Sequence, residues 1–341
     1  MDSSLSQKIL LIGIIVIIFS SLAAFAFINI LFTSKPSNTD LPDVVDNSLK
    51  FNSSRAFSYL SEQVDIGPRY PGSSGIIELR QYIVNNLQKW NWQVLYHNFS
   101  ISNISVSNIL AIPEKATNAT LDSTILFGAH YDTRIIAEKD PNWDKRDEPI
   151  LGANDGASGV AILLEMAQIY RNSTNIGLLF IDAEDQGISY GYTAIEGWDW
   201  CEGSKAFAQP DNLKKYFPTG ASSISKFILF DMIGDKFLSI KKERNSNTAI
   251  MNEIWSIAKN LGYDDSFINT PGYSMIDDHI PFKNAGIPSV DLIDFDFDDE
   301  YGYNLHHTHY DDLDAVSELS LKKVGETIEA WLRTMNLFCI T

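Results

Sequence analysis

Positive charge is what this chain has least of. Lys and Arg number 26 against 44 Asp and Glu, a formal charge of −18 in 341 residues. Nucleic acid phosphates would be repelled by so acidic a protein, so no nucleic acid partner is expected. Cysteine is also scarce. The two present, Cys201 and Cys339, can form one disulfide or stay as two thiols, and their number does not decide the compartment. Internal repeats and low-complexity tracts are missing, which leaves an ordinary globular composition, 45% hydrophobic, of a length for one large or two small domains.

Long hydrophobic runs are few too, with one exception. Ile9 to Phe32 is 24 residues without a charge, enough to cross a bilayer as a helix. Ala24-Phe25-Ala26 resembles a signal-peptidase site, but the apolar run continues past it, which favours an uncleaved anchor. The expected organisation is a short cytoplasmic N-terminus (1–8), a transmembrane anchor or signal (9–33), a Pro-containing polar linker (34–50) and one catalytic domain (51–341). That domain would lie outside the cytoplasm, held at the membrane, or secreted if the segment is cleaved. Sequons at Asn52, Asn98, Asn103, Asn118 and Asn172 agree with export.

Strand-like runs recur at WQVLYHNFSI, NILAIP, STILFGAHYD, IGLLFIDAE, SKFILFDMIG and IPSVDLI. Helical periodicity falls between several of them, as in GVAILLEMAQIYRN and TAIMNEIWSIAKNLG, and again in the closing AVSELSLKKVGETIEAWLRTMNLF. Continuous apolar strands alternating with helices predict an α/β fold with a mixed, mostly parallel sheet covered by helices on both faces. Polar residues gather where the strands end: His130 and Asp132 after ILFGA, Glu184 and Asp185 after LLFIDA, Asp231 after FILF. Strand carboxyl ends are where such sheets bind ligands. Asp155 precedes a predicted helix in GANDGASG. Carboxylates and imidazoles that converge like this suit a zinc ion, whose charge offsets their repulsion. Singly, each has a plainer reading, Asp155 as a helix cap above all.

The motifs GPRYPGS, HYDT, GANDGASG, DAEDQG, FDMIGD, DDHIPF and HHTHYDD, in this order over residues 55–337, resemble those of the zinc aminopeptidase and glutaminyl cyclase family, metallopeptidase family twenty-eight. The resemblance implies a zinc-exopeptidase-like domain acting on peptides or proteins with a free N-terminus. As a cyclase it would hold one zinc on Asp155, Asp185 and His307, with Glu184 as general acid and base and with Asp231 and Asp278 assisting by hydrogen bonds. As an aminopeptidase it would hold two, the second on His130 and Asp231 with Asp155 bridging. DDHIPF, the Asp after Glu184, the tryptophan-bearing insertion and LHHTHYDDLD favour the cyclase. The reaction expected is conversion of N-terminal Gln to pyroglutamate with release of ammonia. Hydrolysis of N-terminal residues is the alternative, and a non-catalytic peptide-binding ectodomain is the third reading. Trp198, Trp200 and His306 are the expected pocket wall, with packing of the insertion as the alternative for the two tryptophans. His309 is expected to be structural, and the acidic stretch Asp291–Glu300 a solvated loop rather than a calcium site.

Overall fold

The computed structural model describes residues 49–337, all within one compact unit. Two amphipathic helices come first, α1 (Ser53–Asp65), capped by the Asn52 side chain, and α2 (Ser74–Lys89), capped by Ser73. Then follow the hairpin strands β1 (Trp92–Ile101) and β2 (Ile104–Pro113), the single turn α3 (Asn118–Leu121), and β3 (Thr124–His130). Helix α4 (Ala157–Ile169) leads to β4 (Ile176–Ile181) and the small pair β5 (Ile188–Ser189) and β6 (Tyr192–Thr193). The rest is α5 (Glu202–Phe207), α6 (Pro210–Tyr216), β7 (Ile224–Asp231), β8 (Ile240–Lys242), α7 (Thr248–Asn260), β9 (Phe267–Pro271), α8 (His279–Asn284), β10 (Ser289–Ile293) and α9 (Glu318–Thr334).

Six strands form one sheet in the order β1-β2-β4-β3-β7-β10. The last four run parallel, and β1 and β2 add an antiparallel edge, so the expected mixed, mostly parallel sheet is what forms. Every residue of β3, β4 and β10 is buried, because helices cover both faces. On one face Leu126, Leu179, Ile181, Phe227 and Leu229 pack with Phe207, Leu213 and Phe282 of α5, α6 and α8. Helix α4, buried over all but one of its residues, lies on the other against β3 and β7.

The transmembrane part of the expected fold is corrected. Among the described residues no helix is long and apolar enough to cross a membrane. The longest, α9, has 17 residues and carries Glu318, Lys322, Lys323, Glu326, Glu329 and Arg333. At 1.5 Å per residue it would reach about 26 Å, short of the roughly 30 Å hydrocarbon core. The segment 9–33, on which the anchor was expected, lies outside the described residues, as does Cys339.

Gly159 lets α4 approach the sheet. A methyl group there would overlap the carbonyl oxygen of Phe230 in β7 and press on Ala129. Gly159→Ala is therefore expected to lower unfolding free energy by about 1–3 kcal/mol despite alanine's better helix propensity. Urea denaturation checks this, and an equally stable variant would mean that the helix can move away freely.

Candidate functional site

Because β3, β4 and β7 are parallel and in register, their carboxyl ends share one edge. His130 pairs with Ile181 and Gly128 with Leu229, so His130 and Asp231 finish level. His130 Nε2 is 3.1 Å from Asp231 Oδ1 and 3.1 Å from Asp155 Oδ1. Asp155 arrives from the loop before α4, where Gly156 passes so close to the His130 ring that no side chain would fit.

The opening after β4 is built around Asp132. Its carboxylate accepts from the backbone N–H of Glu184 (3.0 Å) and Asp185 (3.3 Å) and from the Gln186 amide (3.0 Å). Ala183 takes a left-handed backbone, φ 60°, which breaks the strand and turns Glu184 and Asp185 out of the sheet. Behind them Arg134 donates to the carbonyls of Asp185 and Gly187, both at 2.9 Å, and lies 4.8 Å from the Trp200 ring.

The last loop brings His306 and His307, whose roles separate by the partner of each Nδ1. His307 Nδ1 is 2.6 Å from Glu138 Oε1. The Glu138 carboxylate is kept anionic, its pKa held well below the usual range by His307 and Arg134 against the effect of burial. Nδ1 therefore carries the proton and Nε2 keeps its lone pair. That Nε2 is buried without a hydrogen-bond partner, 3.0 Å from Asp185 Oδ1 and 3.7 Å from Asp155 Oδ2. Burial lowers the pKa of His307 to about 4, with Arg134 and Lys139 adding to it, so the ring is neutral at physiological pH. At His306 the arrangement is reversed. Lys139 Nζ, a donor only, is 2.6 Å from Nδ1. The His306 proton then sits on Nε2, 3.4 Å from Asp155 Oδ2.

Of four groups of candidate metal-holding atoms among the described residues, each within 4.8 Å, two share Asp155: Asp155, His306 and His307, and His130, Asp155 and Asp231; the others are Glu184, Cys201 and Asp277, and Asp277, His279 and Asp291. Asp185 borders the first, and its Oδ2 is another buried atom without a partner. Unpartnered His307 Nε2 and Asp185 Oδ2 beside Asp155 make a nitrogen-and-oxygen donor set that fits zinc.

A cavity of about 260 Å³ covers these residues, lined by Glu184, Asp185, Asp231, Asp277, Trp200, His306 and His307 among others. Glu184 is buried, and its pKa is driven well above the usual range by that burial, with Asp185, Asp277 and Asp278 adding to the effect. The Cys201 thiol donates to Glu184 Oε1 at 3.4 Å, and Asp277 completes a buried trio with them within 4.8 Å.

Two residues, Asp278 and Trp198, lie elsewhere than expected. Asp278 does not line the cavity; the Ser204 hydroxyl holds its carboxylate, and its neighbour Asp277 faces Glu184 instead. Trp198 packs with Val106 and Ala183 in a hydrophobic cluster, fixing the insertion to the domain, while Trp200 reaches the cavity and stacks near His307, centroids 6.0 Å apart. His306 lines the cavity as expected, but it also donates to Asp155. His309 is tied to Asp140 at 3.0 Å. In the acidic stretch, Asp291 and Asp294 are buried, Asp296 pairs with Lys241, and Asp299 caps its own turn. Its carboxylates from Asp294 onward do not converge on a common point among the described residues. Glu138, Arg134 and Lys139 have no sequence signal that singles them out, and Asp277 and Cys201, though in view in the sequence, have none that points to Glu184.

The tautomers generate a test. In protein purified and reloaded with zinc, His307→Ala is expected to lose most of the metal and His306→Ala to retain it. Glu138→Gln should weaken zinc binding by about 10–100-fold. Elemental analysis after dialysis reads all three, and equal loss from both histidine variants would refute the assignment.

The profile of peptidase family M28 matches residues 108–332. The crystal structure of a Zn-dependent exopeptidase from Parabacteroides distasonis superimposes with a TM-score of 0.74 at 29% identity, covering 84% of this chain and 98% of that one. That of Bacteroides thetaiotaomicron glutaminyl cyclase bound to N-acetylhistamine gives 0.72 at 30% identity, covering 82% and 97%. The glutaminyl-peptide cyclotransferase of Bos taurus is 26% identical over 296 residues, 74% of this chain and 77% of that protein. These relatives support zinc as the cofactor.

Proposed function

Because this chain belongs to peptidase family M28, an enzyme family whose members here divide between cyclases and exopeptidases, we propose that it is a glutaminyl cyclase. It would convert the N-terminal Gln of peptides or proteins to pyroglutamate and release ammonia. The observation that carries this reading is the pairing of Glu184 with Asp277 on the cavity wall. Burial, with Asp277 adjacent, favours the protonated form of Glu184, so this carboxyl can take up a proton and hand it on. Cyclisation needs a proton carried from an amine to a leaving group a few ångströms away, without added water.

Zinc bound by Asp155, Asp185 and His307 would polarise the γ-carboxamide carbonyl. Glu184 accepts a proton from the substrate's α-amine as that nitrogen bonds to the carboxamide carbon, Cδ. The C–N bond to the amide nitrogen then breaks, and Glu184 returns the proton so that ammonia leaves. Asp277 beside it favours the protonated form of Glu184, the form that holds the proton in transit. The Cys201 thiol donates to Oε1 and so fixes the carboxylate's orientation. Trp200 and His306 confine the side chain, so ring closure is largely a matter of orientation.

A two-metal aminopeptidase is the second reading. The convergence of His130, Asp155 and Asp231 favours it, since those atoms are grouped closely enough to hold a second ion.

With zinc and a Gln-Phe peptide, mass spectrometry is expected to show loss of ammonia at unchanged chain length, and release of free Gln would establish the hydrolase instead. Glu184→Gln should keep its zinc and fold yet lose about 10²–10⁴-fold in kcat. Full activity in that variant would remove Glu184 from the base role.

A further inference from the structure

A second cavity of about 530 Å³ adjoins the one above and shares Lys139, Tyr190, Phe295 and His306 with it. A peptide whose first residue fills the inner cavity has this outer one next to it. The charges facing the outer cavity are sorted by whether they are paired. Its carboxylates are answered: Glu138 by Arg134 at 2.7 Å and His307 at 2.6 Å, Asp296 by Lys241 and by the Tyr273 hydroxyl at 2.7 Å.

Its cations are not. Among the described residues no carboxylate lies within 4.0 Å of Lys139 or Arg146. Lys139 Nζ donates to a neutral acceptor, His306 Nδ1. Arg146 Nε donates to the Asp140 carbonyl at 2.8 Å, and its guanidinium stacks on Trp143 at 3.8 Å. Glu138, Asp155 and Asp185 act on Lys139 only from beyond ion-pair distance, and in a chain with 44 acidic and 26 basic side chains two cations without a direct carboxylate partner at one cavity need a reason. Both are half-buried, so their field is less screened than that of a freely solvated group.

We infer that the outer cavity is a subsite for an acidic side chain, Asp or Glu, carried by the substrate shortly after its N-terminal residue. Lys139 and Arg146 supply the charge, and Tyr190 and Phe295 supply apolar contact for the methylene groups. This subsite rests on the cyclase reading only for what fills the inner cavity.

Binding can be measured without turnover, by calorimetry on zinc-loaded Glu184→Gln. The probes are tetrapeptides beginning with Gln, otherwise Phe and Ala, with Glu, Gln or Lys walked through positions two to four. At one position Glu is expected to bind about 5–10-fold more tightly than Gln, with Lys weaker still. The preference should fade in about 0.5 M sodium chloride. It should persist in Arg146→Lys, shrink in Arg146→Gln and reverse toward Lys in Arg146→Glu. Equal binding of the three peptides at every position, a preference unchanged in Arg146→Gln, or no binding at all would overturn the subsite. Product analysis of the wild-type enzyme with the same peptides decides separately between cyclisation and hydrolysis.

Discussion

Repulsion among buried carboxylates is the constraint that orders this structure. Asp132, Asp155, Glu184, Asp185, Asp231, Asp277 and Asp278 are all buried at one edge of the sheet. An unpaired ionised carboxylate in such a place costs several kcal/mol. Each arrangement around them answers that cost in a different way. Asp132 is satisfied by backbone and amide N–H groups, Asp278 by a hydroxyl, and Glu138 by an arginine and an imidazole. Among the buried atoms left without a partner are Asp185 Oδ2 and His307 Nε2, which flank Asp155 at the cavity, and a divalent cation is their natural complement.

Bringing those groups together also takes unusual backbone. Side chains of a strand point above and below the sheet, not off its end. Ala183, Cys201, Met232 and His307 all have positive φ, between 45° and 60°, and each sits where the chain must turn toward the site. A non-glycine residue in that region costs about 1–2 kcal/mol. The surrounding contacts hold it there: the Cys201 and Glu202 amides, for example, donate to the carbonyls of Glu184 and Ala183.

Much of this was legible in sequence because the signals are local. Unbroken apolar runs give β3, β4 and β10, and short motifs give His130, Asp155, Glu184 and Asp185. Choosing between Asp277 and Asp278 is a different problem. Adjacent side chains near a helix start face opposite ways, and the direction is set by Ser204, 74 residues earlier in the chain. The same holds for Trp198 against Trp200 in an insertion whose short helices α5 and α6 leave little periodicity. Glu138 and Lys139 acquire meaning only through the histidine loop, which is 167–169 residues away. The apolar segment 9–33 lacks a counterpart among the described helices.

The dispersal of the proposed zinc ligands has a consequence for how the protein matures. Asp155 leaves the sheet before α4, Asp185 follows β4, and His307 comes after β10, the last strand to be synthesised. A chain cut or stalled before β10 lacks the histidine, and an unfolded one holds the three far apart. Tight coordination is therefore available to the completed fold alone, so metal availability acts on the folding equilibrium by mass action. Free zinc at a thousand times its dissociation constant would add about 4 kcal/mol to stability. On the proposed ligand set, zinc present where the chain folds would favour the folded protein before any substrate is met.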